Sequence, residues 1–161
     1  VHRIEPLGVS ALDRVEPLWL AMVAHHRSVT DLRVRAPEET WRRRRAEYAG
    51  WLQRGDGFIL AAVPEGGGEP DGYAAVRVHE ATSPTFDLGE RVGDLESLAV
   101  AERARGAGIG TQLIGAARER LRMQGVRHWV VSVIDANPDA RRLYEREGFR
   151  PFFSSLVAPI E

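Results

Sequence analysis

Over residues 1–7 apolar and polar positions alternate with a period of two, the mark of a short half-buried strand. The period then lengthens, and Leu12, Val15, Trp19, Met22, Val23 and His26 recur at helical spacing. Ser10 with Asp13 reads as a capping box opening this helix, and Pro17 inside the pattern predicts a kink or a fresh helical start. A second helix is expected from Pro37, with Glu38 and Glu39 in its first turn and Gly55 just past its end. Its apolar face is Trp41, Tyr48, Trp51 and Leu52.

From Gly57 the pattern turns extended. Residues 58–63, 73–79 and 93–100 read as strands of an antiparallel meander, the first two joined by the Gly-rich turn 66–70. Residues 81–90, with Pro84 and Gly89, form a loop long enough to flap over a site. Helical spacing returns after Gly110, with Leu113, Ile114, Ala117 and Leu121 inward. Residues 128–133 form an apolar strand, 138–147 a short helix stopped by Gly148, and 149–157 close the chain as extended structure. Strands first and a β–α–β unit after them predict a mixed α+β fold in a single domain over 1–161.

Composition narrows the chemistry. There is no Cys, and all 22 basic residues are Arg. That excludes disulfides, Cys-based metal sites, a thiol nucleophile, a Lys Schiff base and a Walker-A loop. An all-Arg bias is what a GC-rich genome produces. No apolar run reaches the ~18 residues of a membrane span, and the start of the chain lacks a basic segment followed by an apolar one, so a cytoplasmic protein without a membrane partner is expected. The net charge of −1 divides unevenly: +3 over residues 1–55, −8 over 56–102 and +4 over 103–161. The acidic middle leans toward a cationic ligand. Arg42 to Arg45 are four consecutive cations, but at ~100° per residue they spiral around the helix, and Glu38, Glu39 and Glu47 dilute them. A solvated helix surface is expected there, with no nucleic-acid partner.

Two stretches carry chemistry. In the first, the strand Leu95-Glu-Ser-Leu-Ala-Val100 runs through Ala101-Glu-Arg-Ala104 into Arg105-Gly-Ala-Gly-Ile-Gly-Thr111 and a helix. Such a turn leaves backbone N–H groups unpaired at a positive helix end, a site for phosphate, with Arg103 and Arg105 beside it. The spacing of Gly106, Gly108 and Gly110 departs from the dinucleotide fingerprint because position 111 is Thr. The second stretch is Asn137-Pro-Asp-Ala-Arg-Arg-Leu-Tyr-Glu-Arg-Glu-Gly-Phe149. As a pair they resemble the signatures of the Gcn5-related N-acetyltransferases, over residues 91–150.

The resemblance implies a mostly antiparallel central sheet with splayed middle strands and about four helices. It implies acetyl-CoA as cosubstrate and direct transfer of the acetyl group to a primary amine. Main-chain contacts to the pantetheine arm would come from Leu98, Ala99 and Val100. Pyrophosphate would lie on Arg105, Gly106, Ala107, Gly108, Ile109, Gly110 and Thr111. Tyr144 would be the general acid for the departing thiolate, and Asn137, an N-cap before Pro138, would touch the coenzyme. Glu96 is the candidate base, on a strand face expected to be shared with Leu98 and Val100 and so to have a raised pKa. The first two helices help form the acceptor site in this family, so His26, Trp41 and Tyr48 are candidates to line it, with core packing their alternative. Adjacent His25 and His26 point apart on a helix, and no HExxH pattern or third His accompanies them, so no metal site is expected. Ser97, Ser132 and Thr111 have no nucleophile-elbow context. A small-molecule amine, cationic by the charge of the middle segment, is the expected acceptor, and homodimer formation stays open. Acetylation of a peptide or protein N-terminus and a non-catalytic acyl-CoA-binding module are the rival readings.

Overall fold

A computed structural model describes residues 1–160. Five strands form one sheet in sequential order: β1 (His2–Leu7), β2 (Gly57–Pro64), β3 (Gly72–Glu80), β4 (Arg91–Val100) and β5 (Trp129–Val131). Neighbours are antiparallel except β4 and β5, which run parallel. The helices are α1 (Glu16–Val29), α2 (Pro37–Arg54), α3 (Ile109–Met123) and α4 (Pro138–Arg146). This is the α+β architecture expected, with α1 and α2 between β1 and β2 and a helical crossover through α3 between β4 and β5.

Alternation along β2 and β3 sends side chains to two cores. Ile59, Ala61, Val63, Tyr73 and Ala75 pack against Val15, Trp19, Trp41, Tyr48 and Trp51 on the α1–α2 side. Phe58, Leu60, Ala74 and Val76 pack against Ile109, Leu113, Ile114 and Ala117 of α3 on the other. Pro17 lies in the first turn of α1, where its missing N–H costs nothing, so the fresh start is the outcome. Gly55 ends α2 in the left-handed region (φ 73°), as its place after the last turn implied.

Three local expectations fail. Residues Val9–Val15 form a 3-10 helix capped by Gly8 without a side-chain hydrogen bond, so the Ser10–Asp13 capping box does not form. Asp13 instead accepts hydrogen bonds from Trp41 Nε1 (3.2 Å) and Arg45 Nε (2.8 Å), tying that turn to α2. Loop 81–90 does not cover a site: it is held at the β5 end by Asp87 to Arg127 (3.3 Å) and by Phe86 against Phe152. No strand forms over 149–157. Residues 149–160 are irregular, with Phe152 and Phe153 exposed beside Phe86.

Candidate active site

The cleft originates in the pairing of β4. Its parallel ladder with β5 spans only Gly93–Leu95 against Trp129–Val131, and beyond that the strands part. Residues 96–100 form one wall and residues 132–134 the other of an open cleft of about 690 Å³ that is also lined from α1, α3 and α4. The register of β4 on β3 shifts at the same place: Ser97 faces Ala75 and Leu95 faces Val76, so Glu96 is the extra residue of a β-bulge. A bulge reverses the alternation. Leu95, Leu98 and Val100 go to the α3 side, whereas Glu96 and Ser97 meet α2, through Arg44 and Tyr48. Glu96 therefore does not share a face with Leu98 and Val100.

A buried polar chain fixes the bulge. Tyr48 donates to Ser97 Oγ at 2.8 Å, and its hydroxyl lies 3.2 Å from that of Tyr73. Every member is buried, so removing one partner leaves another unsatisfied. Tyr48 and Trp41 belong to the core and do not line the cleft.

At one end lies the Gly-rich turn. Gly106 (φ 80°) and Gly108 (φ 78°) hold left-handed conformations disfavoured for other residues, which is why glycine stands there. Gly108 caps α3, leaving the N–H groups of Ile109, Gly110 and Thr111 without helical partners, while Gln112 N–H closes the first turn on Gly108. Gly110 has another reason. A Cβ there would lie 3.1 Å from Leu143 Cδ2, so it lets α4 approach α3. Arg105 lines this end with the turn, whereas Arg103 turns away to Asp71 (2.6 Å) and does not offer its charge to the cleft. The Thr111 hydroxyl is also engaged, donating to Glu147 at 2.8 Å, so only its backbone remains for a ligand. Backbone amides plus one Arg fit a pyrophosphate.

Leu98, Ala99, Val100, Gly106, Gly108, Ile109, Gly110, Thr111 and Asn137 all line the cleft; Ala107 does not. Asn137 Oδ1 accepts the Ala140 N–H at 3.2 Å, an N-cap in fact as well as in sequence. Tyr144 lines the cleft from α4, its ring edge-on to Phe149. Burial alone pushes its phenol up to about 12, with no neighbouring charge contributing, so it stays protonated at any working pH. Glu96 is half-buried at the mouth of the splay. Burial first and the Asp94 carboxylate second raise its pKa, while Arg44 pulls it back.

Residues 26–149 match the acetyltransferase (GNAT) family. The chain belongs to that family. It is 36% identical over 103 residues to mycothiol acetyltransferase of Amycolatopsis mediterranei (strain U-32), a match covering 64% of this chain and 33% of that protein. The chain thus spans about a third of the length of this curated relative. Its fold is that of the GCN5-related N-acetyltransferase from Ralstonia eutropha JMP134 (TM-score 0.77, 23% identity, 99% of each chain). The aminoglycoside N-acetyltransferase AAC(6')-Iy, solved in complex with CoA, is also similar in fold (TM-score 0.73, 16% identity, 99% of this chain and 95% of that one).

The far end of the GNAT cleft is lined from α1, and of the three residues named as candidates to line the acceptor site only His26 does so. Leu18, Trp19, Ala21 and Met22 of α1 form an apolar wall, with His25 and His26 above it. Burial, and then His25, keep the pKa of His26 below its ordinary value. No cluster able to hold a metal ion occurs among the described residues. Arg44 was expected on a solvated helix surface. Its neighbours Arg43 and Arg45 do pair outward, with Glu39 and Asp13, but its own guanidinium lies over Trp19 (4.9 Å) and lines the cleft. Only the crossing of α1 over α2 brings Trp19 under Arg44, and no local spacing encodes that. No helix of the described residues is long and apolar enough to cross a membrane.

Proposed function

We propose that this GNAT protein transfers the acetyl group of acetyl-CoA to the primary amine of a small molecule, in one step from a ternary complex. The observation that carries the reading is the continuity of the cleft. It joins the Gly-rich turn, a splayed strand with free main-chain groups, a protonated Tyr144 and a half-buried Glu96. Arg105, Gly106, Gly108, Ile109, Gly110 and Thr111 would hold the pyrophosphate, the last five through backbone N–H groups. Leu98, Ala99 and Val100 would meet the pantetheine amides as an added strand. Acetyl-CoA supplies a thioester already activated for acyl transfer.

The residues of the chain move the protons. An ammonium acceptor must lose one before its lone pair can form the N–C bond, and Glu96 accepts it. As the C–S bond breaks, Tyr144 donates its phenolic proton to the leaving sulfur. The phenolate recovers a proton from the new amide nitrogen, and Glu96 returns its own to solvent, so one proton is released per turnover. No residue becomes acylated, in keeping with the absence of Cys.

The acidic middle segment gives no support to a polycationic acceptor, because Glu96 is its one carboxylate lining the cleft. Asp56, Asp71 and Asp87 are paired with Arg54, Arg103 and Arg127 elsewhere. The function is tested by thiol release from acetyl-CoA over a broad amine panel, with Tyr144→Phe as control. Turnover that falls at least tenfold in the variant supports it. Acetyl-CoA binding without thiol release from any amine would leave a binding module, and peptide N-termini turned over best would reassign the acceptor.

A further inference from the structure

At the acceptor end a fixed cation stands beside the candidate base. Arg44 Nη1 lies 3.8 Å from Glu96 Oε2 and 3.3 Å from Glu47 Oε2. The guanidinium of Arg44 lies over the ring of Trp19 (4.9 Å to its centroid) and over that of Tyr48 (5.8 Å), two cation–π contacts that restrict where its donors point. Only Nη1 is engaged by carboxylates; among the described residues Nε and Nη2 make no hydrogen bond. The partner on the outside, Glu47, is more than half exposed, so its pairing is screened by water and readily exchanged for a ligand carboxylate.

We propose that the acceptor carries a carboxylate on the carbon bearing its amine or on the next one, and that Arg44 is the residue that selects it. This rests on the acetyl-transfer reading above. With the ammonium on Glu96, a carboxylate one or two carbons away falls on the free edge of the guanidinium, whose fork is matched to two carboxylate oxygens. The remaining wall is apolar, through Leu18, Trp19 and Met22, so the third substituent of the acceptor is an apolar or aromatic group. The pairing also discriminates. A polyamine would put a second cation against Arg44, where like charges repel in a partly buried site.

The test uses phenylalanine, methionine and leucine, each against its own carboxamide and its decarboxylated amine, with spermidine as the cationic rival and thiol release as readout. In the wild type kcat/KM for the amino acid exceeds that of its carboxamide by tenfold or more, although the amine of the carboxamide is the less basic of the two and so is more often neutral at pH 7, which an unselective site would favour. Arg44→Gln brings that ratio to within threefold of unity, and Arg44→Glu turns the order toward spermidine. A ratio near one in the wild type overturns the proposal, as does a ratio unchanged in Arg44→Gln with all rates reduced alike, which would mark Arg44 as acting only through Glu96. Saturable acetyl-CoA binding, followed by calorimetry in parallel, separates the failures. If coenzyme binds but no amine is acetylated, transfer itself falls and the acceptor proposal with it.

Discussion

Replacing Glu96 by Gln removes a proton acceptor while keeping the size of the side chain and the bulge that carries it. The loss can be bounded. An aliphatic amine with a pKa of ~10.4 is neutral in only about one part in 2,500 at pH 7, so a base that takes its proton can recover at most a factor of ~10³. We expect kcat/KM for Glu96→Gln to fall by ~10²–10³ at pH 7, within the usual range of general-base catalysis. The pH profile discriminates further. In the wild type the rate falls at low pH as Glu96 is protonated, at a pH above the ordinary value for a glutamate because burial and then Asp94 raise its pKa more than Arg44 lowers it. In the variant that limb disappears, and the rate climbs tenfold per pH unit up to the pKa of the amine. Stability moves the other way. A carboxyl whose folded pKa is raised contributes stability below its unfolded pKa that is lost as pH rises through the folded one. Glu96→Gln removes that loss, so its Tm at pH 8 is not below the wild type, and the two converge at pH 4. A variant within threefold of wild type, with the acidic limb unchanged, would refute Glu96 as the base.

Four further outcomes follow from the geometry. Tyr144→Phe keeps the packing on Phe149 and lowers kcat by tenfold or more with little change in KM for acetyl-CoA, measured by steady-state thiol release. Gly108→Ala meets no steric obstacle, but its left-handed backbone costs ~1–2 kcal/mol, to be read as a loss in urea unfolding and a weaker calorimetric affinity for acetyl-CoA. Ser97→Ala leaves the buried Tyr48–Tyr73 hydroxyl pair one acceptor short beside the bulge and destabilises by ~1–3 kcal/mol in the same unfolding assay. Asp71→Asn weakens the hold on Arg103, just ahead of the phosphate turn, and lowers kcat/KM for acetyl-CoA more than for acetyl-pantetheine, which has no pyrophosphate.

What the sequence made legible was local. Gly108 closes a turn and opens a helix through its own φ, and Asn137 caps α4 through an oxygen three residues from its donor, so each can be read within a short window. The periodicities behaved likewise, since an amphipathic helix advertises its buried face whatever it packs on. The errors arose where a distant segment decides. Glu96 changes face because β3 imposes a register shift, and strand alternation cannot report a bulge set by a partner strand. Arg44 points into the cleft because Trp19, 25 positions away, supplies a surface for it. Asp13 gave up capping for Trp41 and Arg45, and Arg103 gave up phosphate for Asp71; both depend on tertiary contacts. The segment charge of −8 is no guide to the charge of the cleft for a related reason: charge along the chain says nothing of which carboxylates a fold turns inward.

The central claim is that the turn from Arg105 to Thr111 holds the pyrophosphate of acetyl-CoA while the splayed strand holds its arm. Calorimetric titration of the protein with acetyl-CoA, and separately with acetyl-pantetheine, tests this most directly. One saturable site per chain is expected for acetyl-CoA, at least tenfold tighter than for the truncated donor and weakening as salt rises. Equal affinity for the two donors, or no saturable heat with acetyl-CoA, would contradict it.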